Sequence, residues 1–517
     1  MNAAVAARIA AAAVAAACLS LLAPPANWAW LHWVVYLPMF WALRAETPRA
    51  NRWLSFLYGT LGVGLLFRWI VYTITLFSPI PTIGAIAILG LFSSVFGLQY
   101  LLLWPAVHPM RRWLGPAWVA VFPAWEVLLE WGAMRILLFP YNHGVSQYHV
   151  AWTWQLASVT GVWGLSYLTF LVNTALAEAM YRHREGRAMP WRTLGATAAA
   201  VAVVLAYGAW RYQRITALID AAPKLRVAQI QSSMGMLDRL RQGPREAFDD
   251  WLQATRRVPK GAADLVVWPE GGSPFDLNYE TGRQAIPREL LAAEAKRGGF
   301  ELAVGGGTRI RVPDPEMGED QVQVFNSVYF FDAEGRVEAH YDKMVPLPFG
   351  EYLPFGRYFP DVARALNIGD FRAGDHPVMF HSAKAGLVAT PICYEAILPT
   401  TCRLFRDADL LVVVTNDAWF GDTANPHQHA MLAATRAMEL GIPMVRSAYT
   451  GVSFVVDPAG RWTAETKPFE DVERIVEVPL LRFHTLYSRL GDWFVGVCGA
   501  IVLAAAYVAR GRGATLR

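Results

Sequence analysis

The first 210 residues are a succession of apolar runs. Each is close to the ~20 residues that a helix needs to cross a bilayer's hydrocarbon core. Candidate runs fall near residues 4–24, 27–43, 53–77, 83–107, 116–138, 158–181 and 193–210, with an eighth near 490–509 after a long stretch of mixed polarity. Basic residues occupy every second connection. Arg8 precedes the first run; Arg44, Arg49 and Arg52 lie between the second and third; Arg111 and Arg112 lie between the fourth and fifth. Arg182, Arg184, Arg187 and Arg192 lie between the sixth and seventh, and Arg510, Arg512 and Arg517 follow the eighth. The connections at 23–27, 78–82 and 140–154 are nearly uncharged. Basic loops stay in the cytoplasm. The alternation therefore predicts a cytoplasmic N-terminus, seven crossings, and residues 215–485 on the far side of the membrane. The Ala-rich run after Arg8 also has the character of a signal peptide, and its cleavage would leave the parity of the remaining crossings unchanged.

Charge divides the chain at the same place. Of its 42 acidic residues, only Glu46, Glu126, Glu130, Glu178 and Glu185 precede residue 218. Charged residues make up 17% of the chain and apolar ones 54%, whereas soluble domains carry about a quarter charged residues. The expected organisation is a seven-span bundle (1–214), an extracytoplasmic domain (215–485), and a final transmembrane helix with a cytoplasmic tail (486–517). A net charge of +4 without a basic block among aromatics excludes a nucleic-acid partner. The cysteines are Cys18, Cys393, Cys402 and Cys498, which form no disulfide framework. Cys393 and Cys402 could pair in an oxidising compartment, but both are expected as free thiols.

Between 225 and 480 the pattern changes. Short apolar runs at 225–231, 264–268, 301–305, 387–393 and 410–415 read as buried strands. Runs at 325–331 and 337–341 flank a turn at 332–335, as in a hairpin. Stretches 248–257, 288–297 and 427–441 have helical spacing. Alternation of this kind predicts an α/β domain with a sheet covered by helices.

Three reactive side chains stand where strand-like runs stop: Glu270 after LVVWP, Lys343 after RVEAHYD, and Cys393 at the end of GLVATPIC. In α/β sheets, sites gather beyond the carboxyl ends of strands. A Cys at a strand-to-helix turn sits near helix N–H groups, which lower its pKa. A carboxylate can take the thiol proton and return it to a leaving group, and an ammonium can stabilise the oxyanion that forms when a thiolate attacks a carbonyl. A Cys–Glu–Lys set thus suits covalent acyl transfer. Spacing alone leaves the other readings open: a core Cys, a helix-terminal Glu and a surface Lys.

The motifs WPE (268–270), YDKMVPLPFGEYLPF (341–355), ICYE (392–395) and NDAWFG (416–421) resemble the nitrilase superfamily, and more narrowly its membrane branch, the apolipoprotein N-acyltransferases. The likeness runs on through residue 451, and PAWEVLLEWGAMRILLFPYNHGVSQ (123–147) resembles that family's membrane half. The resemblance implies a four-layer αββα sandwich on about eight transmembrane helices. It assigns Glu270 as general base, Lys343 as the lysine and Cys393 as nucleophile, with support from Glu351, Tyr394 and Glu395. It further implies a phospholipid acyl donor, a diacylated apolipoprotein acceptor, no metal or organic cofactor, and a place in the bacterial inner membrane with the catalytic domain on the periplasmic side. A membrane-anchored amidase with the same three residues and water as acceptor is the alternative. Two departures concern the substrate arm: GGSP follows WPE where the family more often has Ser-Ala, and SSMGMLDRL (232–240) lacks the family's common tryptophan.

Other features have weaker readings. His427 and His429 lack the further ligands that a zinc site requires. The Pro- and aromatic-rich loop 345–360 reads either as a packed loop or as a lid that dips toward the bilayer. Arg68, Glu126 and Glu130 are costly within lipid, so they are expected to pair with each other or with Arg135, or to lie near the outer interface, in either a structural or a substrate role.

Overall fold

The computed structural model describes residues 3–136, 141–313, 320–358, 361 and 369–514. The end of the fifth apolar run, residues 359–360 of the Pro-rich loop and Arg517 lie outside the described residues. The chain gathers into two units, one of residues 1–75, 80–213 and 485–517, the other of residues 76–79 and 214–484.

The first unit is helical because its apolar runs satisfy their backbone groups internally. Ala3–Leu22, Thr82–Ile136, Trp191–Asp220 and Trp493–Arg510 are long and apolar enough to cross a bilayer. Pro48–Leu66 and Trp69–Phe77 meet the same test together, with a 57° bend between them. The stretch from Thr82 covers 55 residues, more than twice one crossing, and it turns at Gly115, where φ is +58°. The run at 27–43 is not one continuous helix. It is a 3-10 turn, Ala29–Trp33, followed by the short helix Leu37–Ala42. The break survives because Asn173 supplies its missing partners. The Asn173 amide donates to the His32 carbonyl (2.9 Å), and its oxygen accepts from the Tyr36 N–H (3.1 Å).

Of the alternatives open to Glu126 and Glu130, pairing with Arg135 is not the one adopted. Arg135 donates instead to Asp492 (2.9 Å), whose carboxylate also accepts from the indole nitrogens of Trp131 and Trp163. This one acid ties three helices together. Glu130 accepts from the His143 N–H (2.5 Å), and Arg68 donates to the Leu65 carbonyl (3.1 Å).

Among the described residues the second unit has twelve strands: β1 (Lys224–Gln231), β2 (Leu265–Trp268), β3 (Glu301–Pro313), β4 (Asp320–Phe331), β5 (Val337–Asp342), β6 (Met379–Ser382), β7 (Gly386–Ala389), β8 (Leu410–Thr415), β9 (Met444–Ala448), β10 (Phe454–Val456), β11 (Trp462–Thr463) and β12 (Val472–Pro479). They form two six-stranded sheets, ordered β12-β1-β2-β3-β4-β5 and β11-β10-β9-β8-β7-β6. Side chains alternate across a strand, and here both faces are apolar. Leu225, Val227, Leu265, Val267, Val328 and Phe330 join the core shared with the second sheet. Ala228, Ile230, Val266, Trp268, Leu302 and Tyr329 pack with Phe248, Trp251 and Leu291 of the helices Pro244–Arg257 and Ile286–Gly298. The helix Ala424–Leu440 adds Ala430, Ala433 and Ala437 to the core of the second sheet. The result is the four-layer αββα sandwich. One expected strand is shorter than its apolar run: β7 stops at Ala389, and Cys393 opens a 3-10 turn, Cys393–Ile397.

Gly305 in β3 permits the close approach of the turn that carries Glu270. A Cβ there would lie 2.7 Å from Glu270 Cα and closer still to the Pro269 carbonyl oxygen. Both obstacles are backbone, so neither can rotate away. Gly305→Ala is expected to cost about 1–3 kcal/mol of stability and to lower activity by displacing Glu270. A thermal-unfolding midpoint and activity equal to wild type would show that the turn has room to move.

Candidate active site

The carboxyl ends of parallel strands bring the reactive groups together. β1, β2 and β3 run parallel, as do β7, β8 and β9. Glu270 follows β2, Lys343 follows β5, Cys393 lies beyond β7, and Asn416 follows β8.

Lys343 is the centre of the cluster. It is 1% exposed, and its Nζ lies 2.7 Å from Glu351 Oε2 and 3.3 Å from Glu270 Oε1. Burial works against the ammonium, but Glu270 and Glu351 more than offset it and hold its pKa well above the usual lysine range. Asn326 in β4 donates to both carboxylates, at 2.7 Å to Glu270 and 2.6 Å to Glu351. Glu270 Oε2 accepts from the Asn416 N–H (2.8 Å), and Glu351 Oε2 accepts from the Leu347 N–H (2.6 Å). Each carboxylate is therefore held at both oxygens.

Cys393 is buried, with φ at +52°. A non-glycine residue in this left-handed region carries strain of order 1–3 kcal/mol. The thiol is pushed up, first by burial and then by Glu270, with Lys343 opposing. That corrects the expectation that helix N–H groups lower it: the turn after Cys393 is a single 3-10 turn, too short to outweigh burial beside a carboxylate. Cys393 and Cys402 are both free thiols. Cys402 donates to the Glu395 carbonyl (3.3 Å).

Glu395 acts on the geometry rather than facing the cluster. One of its oxygens accepts from Tyr341 Oη (2.8 Å) and from the N–H groups of Met344 (2.7 Å) and Val345 (3.0 Å). The other accepts from the Ile392 N–H (2.9 Å). A single side chain thus fastens the residues after Lys343 to the residue before Cys393. Tyr394 is also buried, and burial pushes its phenol up.

Behind Cys393 lies a polar group that sequence reading did not assign. His429 Nδ1 is 2.8 Å from Asp417 Oδ1, and its Nε2 is 3.2 Å from the Cys393 carbonyl. Arg446 donates to Asp417 Oδ2 (2.8 Å). Arg446 and His429 hold the Asp417 carboxyl well below its usual range against the opposing effect of burial. His429 is thereby engaged by protein groups on both ring nitrogens. Asn326 was also missed, although a polar residue inside the apolar run FNSVYFF was a visible signal.

In the helical unit, the carboxylates of Glu126 and Glu130 and a ring nitrogen of His143 lie within 4.8 Å of one another. The His143 nitrogens face the hydroxyls of Tyr36 and Tyr100.

Comparison with known proteins agrees with the architecture of both units. The carbon-nitrogen hydrolase family model matches residues 225–482, and the apolipoprotein N-acyltransferase N-terminal domain matches residues 15–175. An apolipoprotein N-acyltransferase of Geobacter metallireducens is 31% identical over 92% of this chain and 90% of its own length. The chain belongs to the apolipoprotein N-acyltransferase family. It is an acyltransferase of the nitrilase superfamily with a membrane-type helical unit. A relative of the same name from Bradyrhizobium diazoefficiens is 32% identical over 83% of this chain and 77% of its own. A solved structure of an amidase from Nesterenkonia sp. aligns with 52% of this chain and 95% of its own, at 22% identity and a TM-score of 0.36.

Glu395→Gln tests the fastening. Its amide would set an N–H against one of four donors, which costs about 1–3 kcal/mol. The expected result is a lower unfolding temperature and turnover reduced about tenfold or more, since a small misplacement of reacting groups costs rate steeply. Unchanged turnover in the Gln variant would show that the loop and the turn are held by other contacts.

Proposed function

We propose that this enzyme transfers a fatty acyl chain from a phospholipid, through a thioester on Cys393, to the N-terminal amine of the S-diacylglyceryl-cysteine of apolipoproteins. The observation that carries the reading is the buried contact of Lys343 with Glu270 beside the thiol of Cys393. The names of the relatives support the choice of acceptor.

Because burial keeps the thiol protonated at rest, attack needs a base at the moment of reaction. Glu270 takes the Cys393 proton as sulfur adds to the ester carbonyl. The Lys343 ammonium stabilises the oxyanion. The tetrahedral intermediate collapses, the lysophospholipid alkoxide leaves, and Glu270 returns the proton to it. The acceptor amine then attacks the thioester and loses a proton to Glu270. The amide forms, and Cys393 leaves as thiolate and is reprotonated. Glu351 and Asn326 hold the lysine and the base in register, Glu395 positions the two loops, and Tyr394 lines the turn. No step calls on a metal or an organic cofactor.

Placement at the outer face of the bacterial inner membrane is part of the same reading. It is supported by the alternation of basic connections. In the loop after Lys343, Phe349, Phe355 and Tyr358 are exposed, which suits a cover for an apolar donor.

Two measurements test these statements. Purified enzyme given phospholipid and no acceptor is expected to accumulate an acyl group on Cys393, seen by intact mass. A diacylated lipopeptide with a free amine should discharge it into an amide, whereas its N-acetylated form should not, and Cys393→Ala should form no adduct. Decay to free fatty acid at the same rate without acceptor would make water the natural nucleophile and the enzyme a hydrolase. For orientation, single cysteines can be placed at Glu280 and Ala188, both exposed. In intact cells an impermeant thiol reagent should label position 280 and spare 188; the reverse pattern would overturn the periplasmic placement.

A further inference from the structure

The geometry points to a buried site for a divalent transition-metal ion, with the ligand chemistry of zinc, formed by Glu126, Glu130 and His143. It belongs to the helical unit alone and uses none of the residues assigned to acyl transfer.

Glu126 and Glu130 stand four residues apart in the helix Trp118–Ile136, so both carboxylates lie on one face. They are 3% and 4% exposed, and His143, which opens the 3-10 turn His143–Gln147, is 6% exposed. One ligand atom from each of the three lies within 4.8 Å of the other two. Glu130 Oε1 accepts from the His143 N–H (2.5 Å), with Asn142 and Ser166 beside that carboxylate. Glu130 Oε2 and Glu126 Oε2 have no hydrogen-bond partner among the described residues. Arg135, the basic residue of the same helix, is taken by Asp492. Buried carboxylates are paired with cations or coordinate metals. A divalent ion would neutralise both acids and use both free oxygens.

The imidazole fits the same task. His143 Nδ1 faces Tyr36 Oη, which lies 3.1 Å from His32 Nε2, and His32 Nδ1 lies 2.7 Å from Ser146 Oγ. Metal-bound histidines usually donate their other ring N–H to a neighbouring acceptor, which fixes the ring. With an ion on His143 Nε2, this chain takes one direction. His143 Nδ1–H donates to Tyr36, Tyr36 O–H to His32 Nε2, and His32 Nδ1–H to Ser146, so every donor meets an acceptor. Tyr100 Oη, 3.2 Å from Nε2 and close to both acids, completes a set of four. Zinc takes four donors at about 2.0–2.2 Å, which sets ligand atoms about 3.4 Å apart, so small side-chain rotations close the cluster on the ion. The ion then ties the helix Trp118–Ile136 to the turn after it and, through Tyr36, to the broken segment 29–42.

Metal analysis of the full-length, untagged protein in detergent tests the site, with all first-row divalent ions counted by plasma mass spectrometry. After growth with zinc and a chelator wash, about one ion per chain is expected, the content of a closed structural site. Glu126→Gln/Glu130→Gln keeps the shape of two protonated acids but cannot neutralise an ion, and it should carry none. Tyr36→Phe, which removes the acceptor for Nδ1–H, should weaken zinc retention about 10–100-fold. Wild-type protein without metal after the wash would overturn the proposal; with an unaltered unfolding temperature in the double variant, it would show two acids that keep their protons. A content that the double variant matches would also overturn it and show an adventitious ion only. Should the double variant fail to accumulate, the wild-type count and its loss in Tyr36→Phe decide.

Discussion

A buried ammonium between two carboxylates is the interaction on which the catalytic unit depends. Lys343 has almost no contact with solvent, and an unpaired charge so placed would cost several kcal/mol even after relaxation. Glu270 and Glu351 offset that cost only if β2, β5 and the loop after β5 meet at one point. Asn326 then reads the spacing of the two acids, because its amide donates to both. Misplacement of any one element leaves an unsatisfied ion in the core, so the cluster works against alternative packings as well as for this one.

The thiol is set on a different support. It sits on the 3-10 turn beyond β7 of the second sheet, while the lysine and the base follow strands of the first. The sheets share one apolar core, which has no directional preference of its own. Register between the two sheets at the site comes from polar contacts that cross it: Glu395 from the Cys turn to Tyr341, Met344 and Val345, and Glu270 to the Asn416 N–H. Dispersion and hydrophobic burial hold the layers together; these few hydrogen bonds fix where reacting atoms stand.

Much of this was legible in the sequence, for identifiable reasons. Glu270 has the sharp signature, an apolar run that ends in a charge, whereas Lys343 follows the mixed run RVEAHYD and Cys393 closes GLVATPIC, so spacing alone left other readings open for them. Strand β8 matched its apolar run to the residue, 410–415. The edge strands β6, β11 and β12 did not show, because an edge strand is short or half polar; β12 alternates exposed and buried positions over much of its length. The apolar run at 387–393 overstated β7, since hydrophobicity reports burial and not backbone conformation. The same limit applies at 27–43, where apolar residues fold as a broken segment served by Asn173. Side-chain partners were least legible. Arg135 finds Asp492, more than 350 residues away, and no local pattern encodes that.

The charge balance of the cluster explains why a thiol that resists ionisation still suits the proposed reaction. At rest the site holds Glu270 and Glu351 as anions, Lys343 as a cation and Cys393 as a neutral thiol, a net charge of one negative. Releasing the thiol proton to bulk water would add a second buried negative charge, which is why burial and Glu270 push the thiol up. Passing the same proton to Glu270 adds none. The negative charge moves from carboxylate to sulfur while the ammonium between them stays in place. In the proposed reaction, oxyanion formation moves the charge once more, from sulfur to the substrate oxygen, and return of the proton from Glu270 to the leaving group restores the starting charge, with the acyl group now on sulfur. Each step redistributes charge inside a closed set, so the low dielectric that penalises ionisation to water penalises none of them heavily. A thiol with an ordinary pKa in an open site would exchange its proton with solvent, and it would also leave the thioester within reach of water. In the proposed reaction, burial would account both for the high thiol pKa and for protection of the thioester from water.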